Sequence, residues 1–372
     1  MHPSLKHRWS VAHNYLAGIS TGDWWRLLRE NRFAVDGVYW HRAAFITLTS
    51  LMNSCYRRVE ESRFNQAVAR TPIAGPPLFI LGHWRSGTTH LHNLIALDTR
   101  QFAFANTYQV VNPHTFLCSE ALNTRLFSGL LPDKRPMDNM ALGFATPQED
   151  EFAYLLATFR SLYLGATFSR RQDHYERYLT FRDVPQEEID EWKAAFLWFA
   201  RKLTLKYGRP LVLKSPPHTA RIRLLLDMFP DARFVHIHRE PYTVFQSFQH
   251  YFDTAMWYTY LQRPELEHTN ERIISRYTVM YDAFFEDRRL IPSGQYLEMC
   301  FEELERDPIA QLRMLYDALG LSGFATLEPE VARYLGTIKN YEKNRFPVLS
   351  TPLRGRIAAA WARSFHEWGY PC

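Results

Sequence analysis

Only four cysteines occur in 372 residues: Cys55, Cys118, Cys300 and Cys372. None has the paired spacing of a zinc site, and they form no framework for a disulfide-stapled domain, so a reducing compartment is expected. Strong charge of one sign is also missing, with 44 Lys and Arg against 39 Asp and Glu for a net of +5. No basic tract or aromatic-interleaved basic patch is present, which argues against a nucleic-acid surface. The mild positive balance suits a pocket for a polyanionic nucleotide. Long apolar runs are absent too. The longest in the N-terminal third, Ala43 to Met52, is interrupted by Thr47, Thr49 and Ser50 and falls far short of the roughly 20 residues a membrane-spanning helix needs. It is expected to be a buried helix. The opening MHPSLKHRWSVAHNY has neither the apolar stretch nor the small-residue cleavage site of a secretory signal. Repeats and low-complexity segments are likewise missing, and the hydrophobic fraction of 46% is that of a globular chain.

The chain does carry a dense set of phosphate-binding signals. In Pro76 to His90, PPLFILGHWRSGTTH, the apolar run Leu78-Phe79-Ile80-Leu81 enters a loop with Gly82 and Gly87, then Thr88, Thr89 and a helix-like stretch from His90 to Leu97. A buried strand, a tight turn and a helix N-terminus converge backbone N–H groups with the positive end of a helix dipole, which makes a cradle for phosphate. A Mg²⁺-nucleotide loop would follow its second glycine with Lys and Ser/Thr. Here that position is Thr88, and the cation, Arg85, lies inside the loop. A second segment, Ala232 to His238, is a β-rich run ending in Arg239-Glu240-Pro241, with Ser247 eight residues past Arg239. An Arg at a strand end and a hydroxyl one or two helical turns on can grip one phosphate from two sides. Arg239 also has Glu240 and Asp231 as ion-pair alternatives. Between the two lies Pro210-Leu211-Val212-Leu213, running into Lys214-Ser215-Pro216-Pro217-His218.

In this order the three segments resemble the sulfotransferases that use 3′-phosphoadenosine 5′-phosphosulfate (PAPS). Arg85 to Thr89, with Ser86, Gly87 and Thr88 between, matches the 5′-phosphosulfate loop, Arg85 standing where many members carry Lys. Arg239 and Ser247 match the 3′-phosphate element, and Lys214 the catalytic Lys at a strand end. The resemblance spans Leu78 to Phe252. It implies transfer of a sulfuryl group from PAPS to a hydroxyl, release of adenosine 3′,5′-bisphosphate (PAP), and no required metal. Lys214, assisted by Arg85, is expected to meet charge on the departing oxygen. Compact members place a His base two residues after the Lys, where this chain has Pro216, so His218 is one candidate. The run Glu149-Asp150-Glu151 supplies the others, Glu149 ahead of Glu151. A late basic loop over the 3′-phosphate would fall on Lys343 and Arg345. Two further readings are a nucleotide kinase, disfavoured by Thr88, and a catalytically silent nucleotide-binding protein, opposed by Lys214, Arg239 and Ser247.

Strands alternating with helices predict an α/β fold, a P-loop-like core with a mostly parallel sheet flanked by helices. Residues 1–70 are expected to form a helical N-terminal segment on a sulfotransferase domain of residues 71–372. A helical insertion at about 101–209 would form the acceptor side, with a loop through Leu131 to Pro136 and a long helix from Pro185 to Tyr207. A further helix is expected from Pro308, capped by Asp307. Abundant aromatics point to an apolar, even lipid-like acceptor. Trp24, Trp25, Tyr39 and Trp40 with clustered Arg allow peripheral membrane contact or a simple capping of the core. A cytoplasmic location is expected.

Overall fold

A computed structural model describes residues 5–11, 13–127, 143–339 and 344–372. Five strands, β1 (Leu78–Leu81), β2 (Ala103–Phe104), β3 (Leu211–Lys214), β4 (Arg233–His238) and β5 (Tyr296–Cys300), form one sheet in the order β2-β3-β1-β4-β5. Every pairing is parallel. The inner strands read as unbroken apolar runs because helices cover both faces. Phe79, Leu81, Leu213 and Phe234 point into one core cluster. Leu78, Ile80, Val212, Val235 and Ile237 point into the other, against Leu91, Leu94, Leu312 and Tyr316. The α/β sheet flanked by helices is therefore as expected.

Local chemistry explains where boundaries fall. The helix after the cradle is Thr88–Ile95, two residues earlier than predicted, because Gly87 takes a left-handed φ of 100° and turns the chain straight into it. The long helix of the insertion runs Gln186–Tyr207 and stops at Gly208 in the left-handed region. Asp307 caps Pro308–Ala318 by accepting from the Ala310 N–H. Strand β2 lies inside a stretch expected to be mostly helical. Two residues are too short to show a period, and β2 exists only because its backbone pairs with β3. The segment after β5 is the helix Phe301–Arg306 with Glu302 and Glu303 in its first turn, a favourable place for carboxylates. The loop from Leu131 to Pro136 lies outside the described residues.

The N-terminal segment forms the helices Thr21–Glu30 and Trp40–Arg70. The expectation that Ala43 to Met52 is buried is corrected, since Leu48, Leu51 and Met52 are exposed. The inward face of this helix is largely polar instead. Arg42 donates to the carbonyls of His7, Ser10, Trp257 and Tyr260, Asn53 to those of Ala17 and Ile19, and Glu60 pairs with Lys202 in a buried contact.

Candidate active site

The sheet register brings the three signature segments together. Ile80 lies opposite Lys214 on one side and Val235 on the other, so β3, β1 and β4 end side by side. Their C-terminal loops thus share one edge, the ordinary ligand edge of a parallel sheet. In the cradle, Gly82 has a φ of 146°, and a Cβ there would lie 2.5 Å from the Ile237 carbonyl oxygen. A side chain on Gly87 would run into the Phe301 ring at 2.2 Å. Arg85 is itself left-handed, with φ 73°, a strained conformation that aims its side chain across the loop. Its Nε donates to Ser247 Oγ at 2.9 Å. Arg239 donates to the Arg85 carbonyl at 3.3 Å and stacks on Phe301, 4.3 Å from the ring centre. Arg85, Arg239 and Ser247 therefore form one cluster. Glu240 caps the following helix through the N–H groups of Tyr242 and Thr243.

Within the loop, Ser86 is buried and its hydroxyl donates to the His83 carbonyl at 2.8 Å, so its side chain braces the turn. His83 is enclosed, and burial lowers its imidazole to about 3, which keeps it neutral. Thr88 is buried at the helix start, while Thr89 Oγ1 lies 3.5 Å from the Lys214 amine.

Beside the cradle, three consecutive carboxylates meet Lys214 at the end of β3 and His218 and Arg221 just beyond it. Lys214 Nζ donates to Glu149 Oε1 at 3.0 Å. His218 Nε2 lies 2.6 Å from Asp150 Oδ2, whose other oxygen accepts from Ser215 at 3.1 Å. Arg221 grips Glu151 with both guanidinium nitrogens, at 2.6 and 3.0 Å. Burial pushes the Asp150 carboxyl up, but the His218 imidazole beside it outweighs this and holds it at about 2. Asp150 occupies the N-cap of the helix Glu151–Thr158 without a capping hydrogen bond, so Glu149 precedes the helix and only Glu151 lies in its first turn. Glu149 also accepts from the Tyr163 hydroxyl at 2.5 Å, and that hydroxyl accepts from the Trp84 indole at 2.9 Å. Burial and the adjacent Glu149 raise the Tyr163 phenol well above its ordinary value, so it remains a donor.

The predicted residues thus separate. Arg85, Arg239, Ser247, Thr89, Lys214 and Glu149 gather at the sheet edge. Glu151 and His218 are enclosed in the adjoining buried pairs. Arg345 is exposed, and Lys343 lies outside the described residues. Sequence reading passed over Tyr163, Trp84, Asp150, Ser215, Arg221 and Phe301 as site residues. The spacing of Lys214, His218 and Arg221, opposite three adjacent acids, was a usable signal for some of them. Tyr163 and Phe301 had none, because they arrive from remote segments. Among the described residues, no group of three or more His, Cys, Asp or Glu is placed to hold a metal ion.

A profile described as the sulfotransferase family matches residues 76–325, which contain the cradle, the Lys214 strand and the Arg239 element. The chain belongs to the sulfotransferase family. This sulfotransferase is 36% identical over 353 residues to proteins of Mycobacterium bovis and Mycobacterium tuberculosis described as omega-hydroxy-beta-dihydromenaquinone-9 sulfotransferase Stf3, covering 95% of its own length and 90% of theirs. Its fold is shared with sulfotransferase STF9 from Mycobacterium avium, at a TM-score of 0.66 and 17% identity over 94% of this chain and 96% of that one. Sulfotransferase STF1 from Mycobacterium tuberculosis matches with a TM-score of 0.57 and 19% identity, over 84% and 87% of the two chains.

Proposed function

We propose that this sulfotransferase takes the sulfuryl group from PAPS and places it on a hydroxyl of an apolar, lipid-like acceptor. The observation that carries this reading is the Lys214–Glu149 pair at 3.0 Å, set at the strand end beside a cradle whose Arg85 reaches Ser247 at 2.9 Å. Arg239 and Ser247 hold the 3′-phosphate; Arg85, Thr88, Thr89 and the helix N-terminal N–H groups hold the 5′-phosphosulfate. The acceptor oxygen attacks sulfur as the bond from sulfur to the bridging phosphate oxygen breaks, and PAP leaves with the charge. Lys214 turns from Glu149 to that bridging oxygen. Glu149 is thereby released to take the acceptor proton, its other oxygen held by Tyr163. Glu151 and His218 act as positioning residues by fixing the backbone on either side. Thr88 in place of Lys is consistent with chemistry that needs no bridging Mg²⁺.

An apolar acceptor fits the Leu162, Phe252, Met256, Tyr260 and Leu266 wall of a cleft beside Tyr163, whose other wall carries Gln172, Glu265, Arg272 and Arg276. The similarity to proteins named for a hydroxylated dihydromenaquinone points the same way. Calorimetry with PAP and with ATP/Mg²⁺ tests the donor, PAP being expected to bind and ATP not. Incubation of isoprenoid alcohols and phenols with labelled PAPS tests the acceptor. Label transfer only to short polar alcohols would overturn the lipid assignment.

A further inference from the structure

The helix Trp40–Arg70 is inverted relative to an ordinary surface helix. Its buried positions are Arg42, Ile46, Ser50, Asn53, Glu60 and Val68, mostly polar. Its exposed positions include Trp40 (65%), Leu48 (68%), Leu51 (53%), Met52 (42%) and Val59 (40%), with Cys55 exposed among them. At 3.6 residues per turn these six fall within an arc of about 120° and run about 28 Å along the axis. The helices on either side extend the face. Phe116–Phe127, joined through the Cys118 N–H to Glu60 at 3.1 Å, exposes Leu122 and Leu126. Thr21–Glu30, joined through the Trp24 indole to Thr47 at 2.9 Å, exposes Trp25, which meets Phe33 edge-on. Single exposed leucines are commonplace, but a contiguous row with tryptophans at its end calls for a partner.

Charge indicates which partner. Residues 1–70 hold ten Lys and Arg against five Asp and Glu, a surplus equal to the net +5 of the whole chain, so the remaining 302 residues are neutral. Arg58 and Arg63 are exposed on the same helix, Arg29 on the flanking helix Thr21–Glu30, and Arg8 and Arg32 elsewhere in the segment, against Glu30 and Glu61 as its exposed acids. An apolar face with aromatic ends and a basic border is the surface that settles at the headgroup boundary of an anionic bilayer. A second copy docked on the same face would set positive charge against positive charge. No helix of the described residues is long and apolar enough to cross a membrane, so the contact is a surface one.

We propose that this face docks the protein on a bilayer containing anionic lipid. The docked end also adjoins the acceptor cleft. Arg42, on the inward side of the same helix, holds the carbonyls of Trp257 and Tyr260 at 2.8 and 2.9 Å, and Met256 and Tyr260 line the cleft. His7 stacks on Tyr258 at 4.7 Å, and exposed Trp9 lies against His41 at 4.9 Å. Docking therefore brings the cleft close to the lipid phase. This last step rests on the acceptor reading above, whereas the docking surface does not.

The test is co-sedimentation of the full chain with vesicles of phosphatidylcholine, with and without phosphatidylglycerol. Binding to the mixed vesicles that weakens with salt is expected. Leu48→Gln with Leu51→Gln should lower partitioning roughly tenfold or more, while the melting temperature and PAP affinity stay unchanged because both side chains are exposed. Absence of wild-type binding to mixed vesicles, or equal binding by the double variant, overturns the proposal. So does a dimer in analytical ultracentrifugation that the same substitutions abolish, which assigns the face to a second copy. Loss of PAP binding alongside intact vesicle binding would count against the catalytic reading and leave this one standing.

Discussion

Glu149–Lys214 and Glu151–Arg221 are ion pairs whose carboxylates stand two residues apart, yet they sit in opposite settings. The Glu151–Arg221 side chains are wholly excluded from solvent, and both carboxylate oxygens and all three guanidinium nitrogens are committed to each other or to Ser161, Tyr178 and Leu179. Glu149 keeps 14% of its side chain accessible and faces the cradle. An enclosed carboxylate with a bidentate guanidinium has nowhere to send a proton. A carboxylate held by an amine and a phenol at a cleft can exchange one partner for a substrate. Arg at the closed end and Lys at the open end fit this division, because the planar fork locks geometry and the flexible amine can move.

The largest expected effect lies at the open end. Glu149→Gln should depress kcat by roughly 10²–10⁴-fold with PAP affinity unchanged, and Lys214→Ala should likewise act on kcat far more than on donor binding. Single-turnover assays with calorimetry on the same samples check both. If His218→Ala instead removes turnover while Glu149→Gln retains it, the base lies on the segment after Lys214 and Glu149 is not the base. At the closed end, Arg221→Ala should cost about 3–5 kcal/mol of stability by stranding Glu151, read from urea melts. A stability loss at Glu149→Gln of the same size would erase the contrast.

Donor binding comes next. Arg239→Ala should weaken PAP by about 2–5 kcal/mol while barely changing adenosine 5′-phosphate, and Ser247→Ala should cost about 1 kcal/mol. Equal losses for the two ligands would remove the 3′-phosphate assignment. Between the two ends, Asp150 gives a pH signature. Its carboxyl is held at about 2, below its ordinary 3.8, so its contribution is present above pH ~4 and is lost as pH falls toward 2. The stability gap between wild type and Asp150→Asn should shrink over that window. A constant gap would mean that ionisation of Asp150 does not matter. The smallest expected effect is none at all: EDTA should leave turnover intact, given Thr88 where a Mg²⁺-nucleotide loop has Lys.

The sheet, its parallel sense and the three segments that end side by side at its edge were legible because each rests on local pattern, an apolar run ending in a fixed constellation. The acidic run and Lys214 were both singled out, but their pairing was not visible across 65 residues. Nothing local distinguishes Glu149 from Glu151. Only the direction of entry into the helix Glu151–Thr158 separates them, turning one toward the cradle and the other into the core. Tyr163 and Phe301 gave no signal because their role is contact, made across the fold. The exposed row on Trp40–Arg70 was misread for a related reason: an apolar segment states a preference for leaving water and leaves open what it leaves water for.

The stepwise pairing of residues 149, 150 and 151 with 214, 218 and 221 works as a zip with a single permitted alignment. Sliding it by one position would set carboxylate against the wrong base at every step and bury at least one charge without its match. Changes in the long stretch between the two segments must leave Ser161, Tyr163, Tyr178 and Leu179 in place, and neither segment can be exchanged alone. Anyone grafting a different segment between the cradle and β3 onto this scaffold would need to carry the acidic triplet and its basic counterpart across as one unit.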